Sequence, residues 1–148
     1  MTDSGAAWHW ARQSRDVAIQ MLYQWEVGRL SVPEVAESFW RIGEVDEGIS
    51  DRARERAAEL VRGTVAHVGQ IDRILEDASR NWRLDRMARV DRNLLRIATW
   101  ELARAADVPA KVAINEAIEI AKKFGTTESS RFINGVLDRI HRELRPAS

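Results

Sequence analysis

Apolar residues recur along nearly the whole chain with a period near 3.6, and no stretch alternates convincingly with period 2, so the pattern predicts helices and no sheet. In the segment HWARQSRDVAIQMLYQWE, Val17, Ala18, Met21, Leu22 and Trp25 form one stripe, and Gly28 stands where a left-handed residue would close the helix. Ser31-Val32-Pro33-Glu34 then has the form of a capping box with an early proline, opening a short helix that carries Val35, Phe39 and Trp40. Residues 43–50, GEVDEGIS, read as a loop. A third stripe follows through Ala53, Ala57, Leu60, Val61, Val65 and Val68, and is expected to run past Gly69 into Ile71, Ile74 and Leu75. Gly63 and Gly69 permit a bend or a close helix crossing in that stretch.

SRNWRLD, residues 79–85, reads as the boundary between two halves. The helix after it is expected to reach about Ala106, with Val90, Leu94, Leu95, Ile97, Ala98 and Leu102 spread widely enough to predict burial on more than one side. Asp107-Val108-Pro109 ends it, because the residue before a proline avoids the helical region. The next helix places Ile114, Ala117, Ile118 and Ala121 on one face and stops at Gly125. Thr126 or Thr127 then caps a last helix striped by Ile133, Val136, Leu137, Ile140 and Leu144. Asn115 and Asn134 read as polar residues that specify the packing, and Gly135 as a point of close helix approach. The expectation is one all-α domain over residues 1–148, with helical subdomains at 7–80 and 81–146.

Composition narrows the chemistry. The 148 residues are 45% hydrophobic and 31% charged, as in a soluble globular protein with a substantial interior. With no cysteine, there is no disulfide framework, thiolate nucleophile or Cys-type zinc site. His9, His67 and His141 lie far apart, so no metal site is expected, and no glycine pattern cradles a nucleotide phosphate. The carboxylates have ion-pair explanations, Glu119 with Lys123 and Asp85 with Arg89, and no nucleophile stands beside a base. No enzyme activity and no cofactor are expected. Neither a membrane span nor a signal segment is evident, which makes the cytoplasm the default location.

The net charge of zero conceals a division. Residues 1–80 hold 10 basic against 14 acidic side chains and residues 81–148 hold 13 against 9, so the halves carry −4 and +4. Any polyanion would therefore meet a local basic surface rather than a uniformly basic domain. Arg86, Arg89, Arg92 and Arg96 form a ridge at helical spacing. Lys122 and Lys123 stand near Phe124, Arg131 and Phe132, a set that could grip phosphates and stack bases or equally close an apolar stripe. Arg12 and Arg15 sit at the start of the first helix, taken to begin near Trp8 or Trp10, where the macrodipole disfavours cations. Chemistry alone leaves both a solvated and a phosphate-contacting role open for them.

DVPAKVAINEAIEIAKKFGTTESSRFINGVLDRI, residues 107–140, together with VDRNLLRIATWEL and AIQMLYQWE upstream, resembles the NusB family of bacterial transcription antitermination factors. The resemblance covers most of the chain in the same order; residues 29 to 80 match loosely. It implies about seven helices in two packed bundles and binding to boxA RNA as a heterodimer with NusE, a small-subunit ribosomal protein. That complex would join RNA polymerase through other Nus factors, with no catalysis. The family's arginine-rich motif falls on Ala11 to Arg15, giving Arg12, Gln13 and Arg15 as RNA-binding residues. Its RNA-proximal C-terminal positions fall on Lys123, Phe124, Glu128, Arg131 and Phe132, and its NusE-facing positions on Asp85, Asp91 and Arg96. Trp8 and Trp10 could add base stacking to the shortened arginine motif. Rival expectations are a helical protein–protein adaptor, a homodimer that masks the motif, and a domain serving a ribosomal RNA methyltransferase on a separate chain.

Overall fold

The structure, a computed structural model, describes residues 4–41, 49–80, 84–104, 108–124 and 127–144. The side chains of residues 4–9, Trp40, Arg41, Asp85, Phe124, Thr127 and Glu128 lie outside what is described, as does most of the 43–50 loop. Among the described residues seven α-helices run in order: α1 Ser4–Gly28, α2 Val32–Arg41, α3 Asp51–Ala66, α4 Val68–Ser79, α5 Arg89–Arg104, α6 Ala110–Phe124 and α7 Thr127–Leu144, with a short 3-10 helix at Leu84–Arg86. Among the described residues there is no strand, and no helix is long and apolar enough to cross a membrane.

The chain divides into two compact units, Met1–Val65 and Ala66–Ser148. This division falls earlier than the boundary expected at residue 80, and α4 is the reason. It packs on α5 and α7, so it belongs with the second unit although its apolar stripe looks continuous with that of α3. The stripe is interrupted at His67, a non-helical residue with φ −117° whose carbonyl accepts the amide of Ile71 at 2.9 Å. This interruption of the helix falls between Gly63 and Gly69. A Cβ on Gly69 would meet no atom within 4 Å, so no close crossing occurs there.

In the first unit Val17, Ala18, Met21 and Leu22 of α1, Val35 and Phe39 of α2, and Ala53, Ala57, Leu60 and Val61 of α3 are all buried. Gly28 closes α1 as its last helical residue, but the left-handed position is Arg29, at φ 55°. The capping box at the head of α2 forms as read. Ser31 N donates to Glu34 Oε1 at 3.2 Å, and Glu34 N donates to Ser31 Oγ at 3.3 Å. The Ser31 hydroxyl also donates to Glu34 Oε1 at 2.8 Å, and these bonds hold the Glu34 carboxyl below its ordinary value. Ser50 caps α3 in turn, accepting the Ala53 amide at 3.2 Å.

In the second unit α5 is the central element, packed against α4, α6 and α7. Every residue from Asn93 to Leu102 is buried, which satisfies the expectation of burial on more than one side. Leu95, Ile133, Leu137 and Ile140 are fully buried, each such side chain contributing about 1.5–3 kcal/mol. Ala113, Ala117, Ile120 and Ala121 are the buried residues of α6, whereas Ile114 and Ile118 are only half-buried. Three expectations about packing change. Asn115 and Asn134 are exposed, and a Cβ on Gly135 would meet nothing within 4 Å, so none of the three mediates a close helix contact. Glu119 is paired with Lys122, at 3.4 Å, one residue before the partner its spacing suggested.

Candidate nucleic-acid interface

Because α1 begins at Ser4, Arg12 and Arg15 lie beyond its first two turns. The field of the helix N-terminus fades within one turn, so neither the macrodipole penalty nor free backbone amides bear on these arginines. Their environments then separate them. Arg12 is exposed and Gln13 half-buried, whereas Arg15 is only 5% exposed and its Nη1 donates to the Ala11 carbonyl at 3.4 Å. Ser14 is buried beside it, its hydroxyl bonded to the same carbonyl at 2.6 Å. Arg15 is therefore a buried cation, and Arg12 is the exposed cation of the motif.

Trp10 is half-buried, and the guanidinium of Arg52 lies 4.0 Å from its ring centroid. This cation–π contact ties α1 to α3 and occupies one face of the ring, leaving at most the other for a base. Trp8 falls outside the described side chains.

In the second unit, Lys123 and Arg131 are exposed and Phe132 is half-buried. The side chains of Phe124, on α6, and Glu128, on α7, lie outside what is described. Asp91, in the first turn of α5, accepts a hydrogen bond from the Ser129 hydroxyl at 3.0 Å. Asp91 is half-buried and has no ion pair among the described residues. Burial holds its carboxyl above the ordinary carboxylate range, and the Ser129 bond opposes that shift without cancelling it. The bond brings an expected partner-facing residue against the turn of α7 that carries the expected RNA-facing ones.

A group whose folded pKa is raised binds its proton more tightly in the folded state, so ionisation of Asp91 lowers stability as pH rises through its unfolded and then its folded pKa. Asp91→Asn keeps the acceptor for Ser129 and removes that ionisation. We expect the variant to match or exceed the wild type in urea midpoint at pH 7 and to lose the advantage at low pH. A midpoint that falls at pH 7 would mean the carboxylate is stabilising as an anion.

The arginine ridge does not survive as a surface feature. Arg86 and Arg89 are exposed and Arg92 half-buried, but Arg96 turns inward and is 7% exposed. Its Nε and Nη2 donate to the two carboxylate oxygens of Asp72 on α4, each at 2.8 Å, and its Nη1 donates to Asn93 Oδ1 at 3.0 Å. Arg96 thus clamps α5 to α4, so a partner could reach little of it. Asp85 lies in the 3-10 helix with its side chain outside the described set. Nothing in the sequence marks Ser129 or Asp72, because their partners are 38 and 24 residues away and no short-range spacing records such pairings.

Comparison with known proteins gives a consistent result. The model of the NusB family matches residues 12–142. The transcription antitermination protein NusB of Myxococcus xanthus is 46% identical over 129 residues, covering 87% of this chain and 92% of the relative. Among solved structures, T. maritima NusB superposes with a TM-score of 0.79 at 38% identity, covering 91% of this chain and 92% of that one. A structure of antitermination factors NusB and NusE in complex with dsRNA superposes with a TM-score of 0.79 at 26% identity, covering 90% and 97%.

Proposed function

The chain belongs to the NusB family, and from that premise we propose that it is a transcription antitermination factor that binds boxA-type RNA together with NusE, supporting ribosomal RNA transcription. RNA polymerase and the other Nus factors are then reached indirectly, and the protein acts by binding rather than catalysis, in the bacterial cytoplasm. Asp91 and Ser129 supply the observation that carries this reading. Their bond joins the head of α5 to the first turns of α7, where Arg131 is exposed and Phe132 half-buried. RNA on α7 and a basic partner at Asp91 would meet along one edge of the second unit. An incoming cation would also relieve the raised proton affinity of Asp91. On the first unit Arg12 is the phosphate-contacting candidate, with Gln13 beside it. In the second unit Lys123 and Arg131 offer charge, Phe132 a stacking surface, and Phe124 and Glu128 follow from the family match.

The test is titration of a boxA-type RNA and a scrambled control, with and without NusE, across a salt series. The boxA-type RNA should bind more tightly than the control, most clearly with NusE present, and its affinity should fall linearly on a log–log salt plot. Equal and negligible binding to both RNAs in the presence of NusE would overturn the reading.

A further inference from the structure

Between the C-terminal end of α4 and the outer face of α7 lies a groove of about 620 Å³, wholly inside the second unit. Arg80, Arg131, Arg139 and Arg142 line it together with Phe132 and Gly135, and no carboxylate is among the described residues that do. On α7 the residues 131, 135, 139 and 142 follow one another at steps of four, four and three, so they share one face. That row is about 16 Å long at 1.5 Å per residue.

The fold accounts for part of this set. Arg139 Nη1 donates to the Ala78 carbonyl at 3.2 Å, satisfying one of the acceptors that the last turn of α4 leaves open. This contact holds one guanidinium in place at the groove wall. Arg142 meets Asp138 at 3.4 Å, but both are well exposed, 71% and 62%, and such a pair yields readily to a stronger ligand. Arg80 and Arg131 are exposed and have no ion pair among the described residues. Arg80 holds its place at φ 29°, a backbone conformation that side-chain-bearing residues rarely adopt, where the chain turns out of α4. Four like charges around one opening repel one another, and an anion relieves that repulsion. Gly135 leaves room for a ligand to approach the α7 backbone, because a Cβ there would meet nothing within 4 Å. Phe132 supplies an aromatic wall in the same groove.

We propose that this groove is a second track for the RNA backbone, with Arg80, Arg139 and Arg142 holding phosphates while Phe132 stacks on a base. It rests on the RNA-binding reading and extends it from the head of α7 along the length of that helix to the end of α4. A row of cations beside an aromatic side chain suits a flexible single strand better than an isolated phosphate, which would engage only one or two of the arginines.

The test compares the full-length wild type with Arg80→Gln/Arg142→Gln and with a charge-matched control, Arg73→Gln/Lys111→Gln, whose residues are exposed and lie outside the groove. Binding to a single-stranded boxA-type RNA is measured by fluorescence anisotropy with NusE present, across a salt series. The groove variant should lose about threefold to tenfold in affinity, with a log–log salt slope shallower by about 1.4, roughly 0.7 for each phosphate contact removed. The control should stay within about twofold of wild type. Tight wild-type binding with equal effects from the two variants would overturn the groove while leaving the RNA function standing; no wild-type binding would overturn both. Arginine modification read by mass spectrometry gives a second measure. Protection of Arg80 and Arg142 by RNA is expected, and protection by NusE alone would assign the groove to a protein partner instead.

Discussion

Asp72→Ala should lower the stability of the protein by about 2–4 kcal/mol, among the largest losses available from a single polar side chain. The substitution takes from the Arg96 guanidinium, 7% exposed, the Asp72 carboxylate that accepts from two of its nitrogens. Breaking a buried ion pair from one side typically costs about 3–5 kcal/mol, and the lower range applies here because the Asp72 side chain retains 25% exposure. Removing both charges is a different experiment. Arg96→Met with Asp72→Leu replaces the pair by apolar contact between α5 and α4, and should recover most of the loss, because both charges of the pair leave together. Urea midpoints of the two variants at a common protein concentration make the comparison. If Asp72→Ala stays within about 0.5 kcal/mol of wild type, the pair behaves as a solvated surface contact and the clamp is misassigned.

This pair also shows where a sequence stops being readable. Arg96 completes a ridge with Arg86, Arg89 and Arg92 when residues are counted along one helix, and helical spacing contains nothing to distinguish its environment from theirs. The distinction comes from Asp72, on a helix that local pattern assigns to the other half of the chain. Periodicity records which face of a helix is apolar, so Val17, Leu22, Leu95, Leu137 and Ile140 are where the stripes put them. Capping chemistry is equally local, and the Ser31–Glu34 box forms from four consecutive residues. What periodicity omits is the partner of each face. The α3 and α4 stripes look continuous, yet the second packs on α5 and α7, and the division of the chain moves with it. Asn115, Asn134 and Gly135 looked like interior residues because their neighbours are apolar, but one turn of a helix contains both faces, and theirs is the open one. Of the candidate site, the exposed cations Arg12, Lys123 and Arg131 were legible from residue type and family resemblance. The Asp91–Ser129 bond and the groove behind Arg131 required the third dimension.

The two arginines of the first helix should give opposite results when changed one at a time. Arg15→Ala should destabilise the fold by about 2 kcal/mol, the combined effect of lost packing along a buried stem and lost hydrogen bonding by its guanidinium. Its burial at 5% exposure and its bond to the Ala11 carbonyl motivate that value. Arg12→Ala should leave the urea midpoint within the roughly 0.5 kcal/mol range of surface substitutions. RNA binding should sort them in the reverse sense. Arg12→Ala should weaken binding to boxA-type RNA in the presence of NusE and shallow the log–log salt slope by about 0.7, one phosphate contact's worth. Arg15→Ala, measured where the variant is still folded, should bind with the wild-type salt slope. A slope changed by Arg15→Ala at unchanged stability would mean that Arg15 turns outward to meet RNA, and that its buried position is a state the nucleic acid displaces. Unchanged slopes in both variants would remove α1 from the RNA interface and leave α7 as its principal surface.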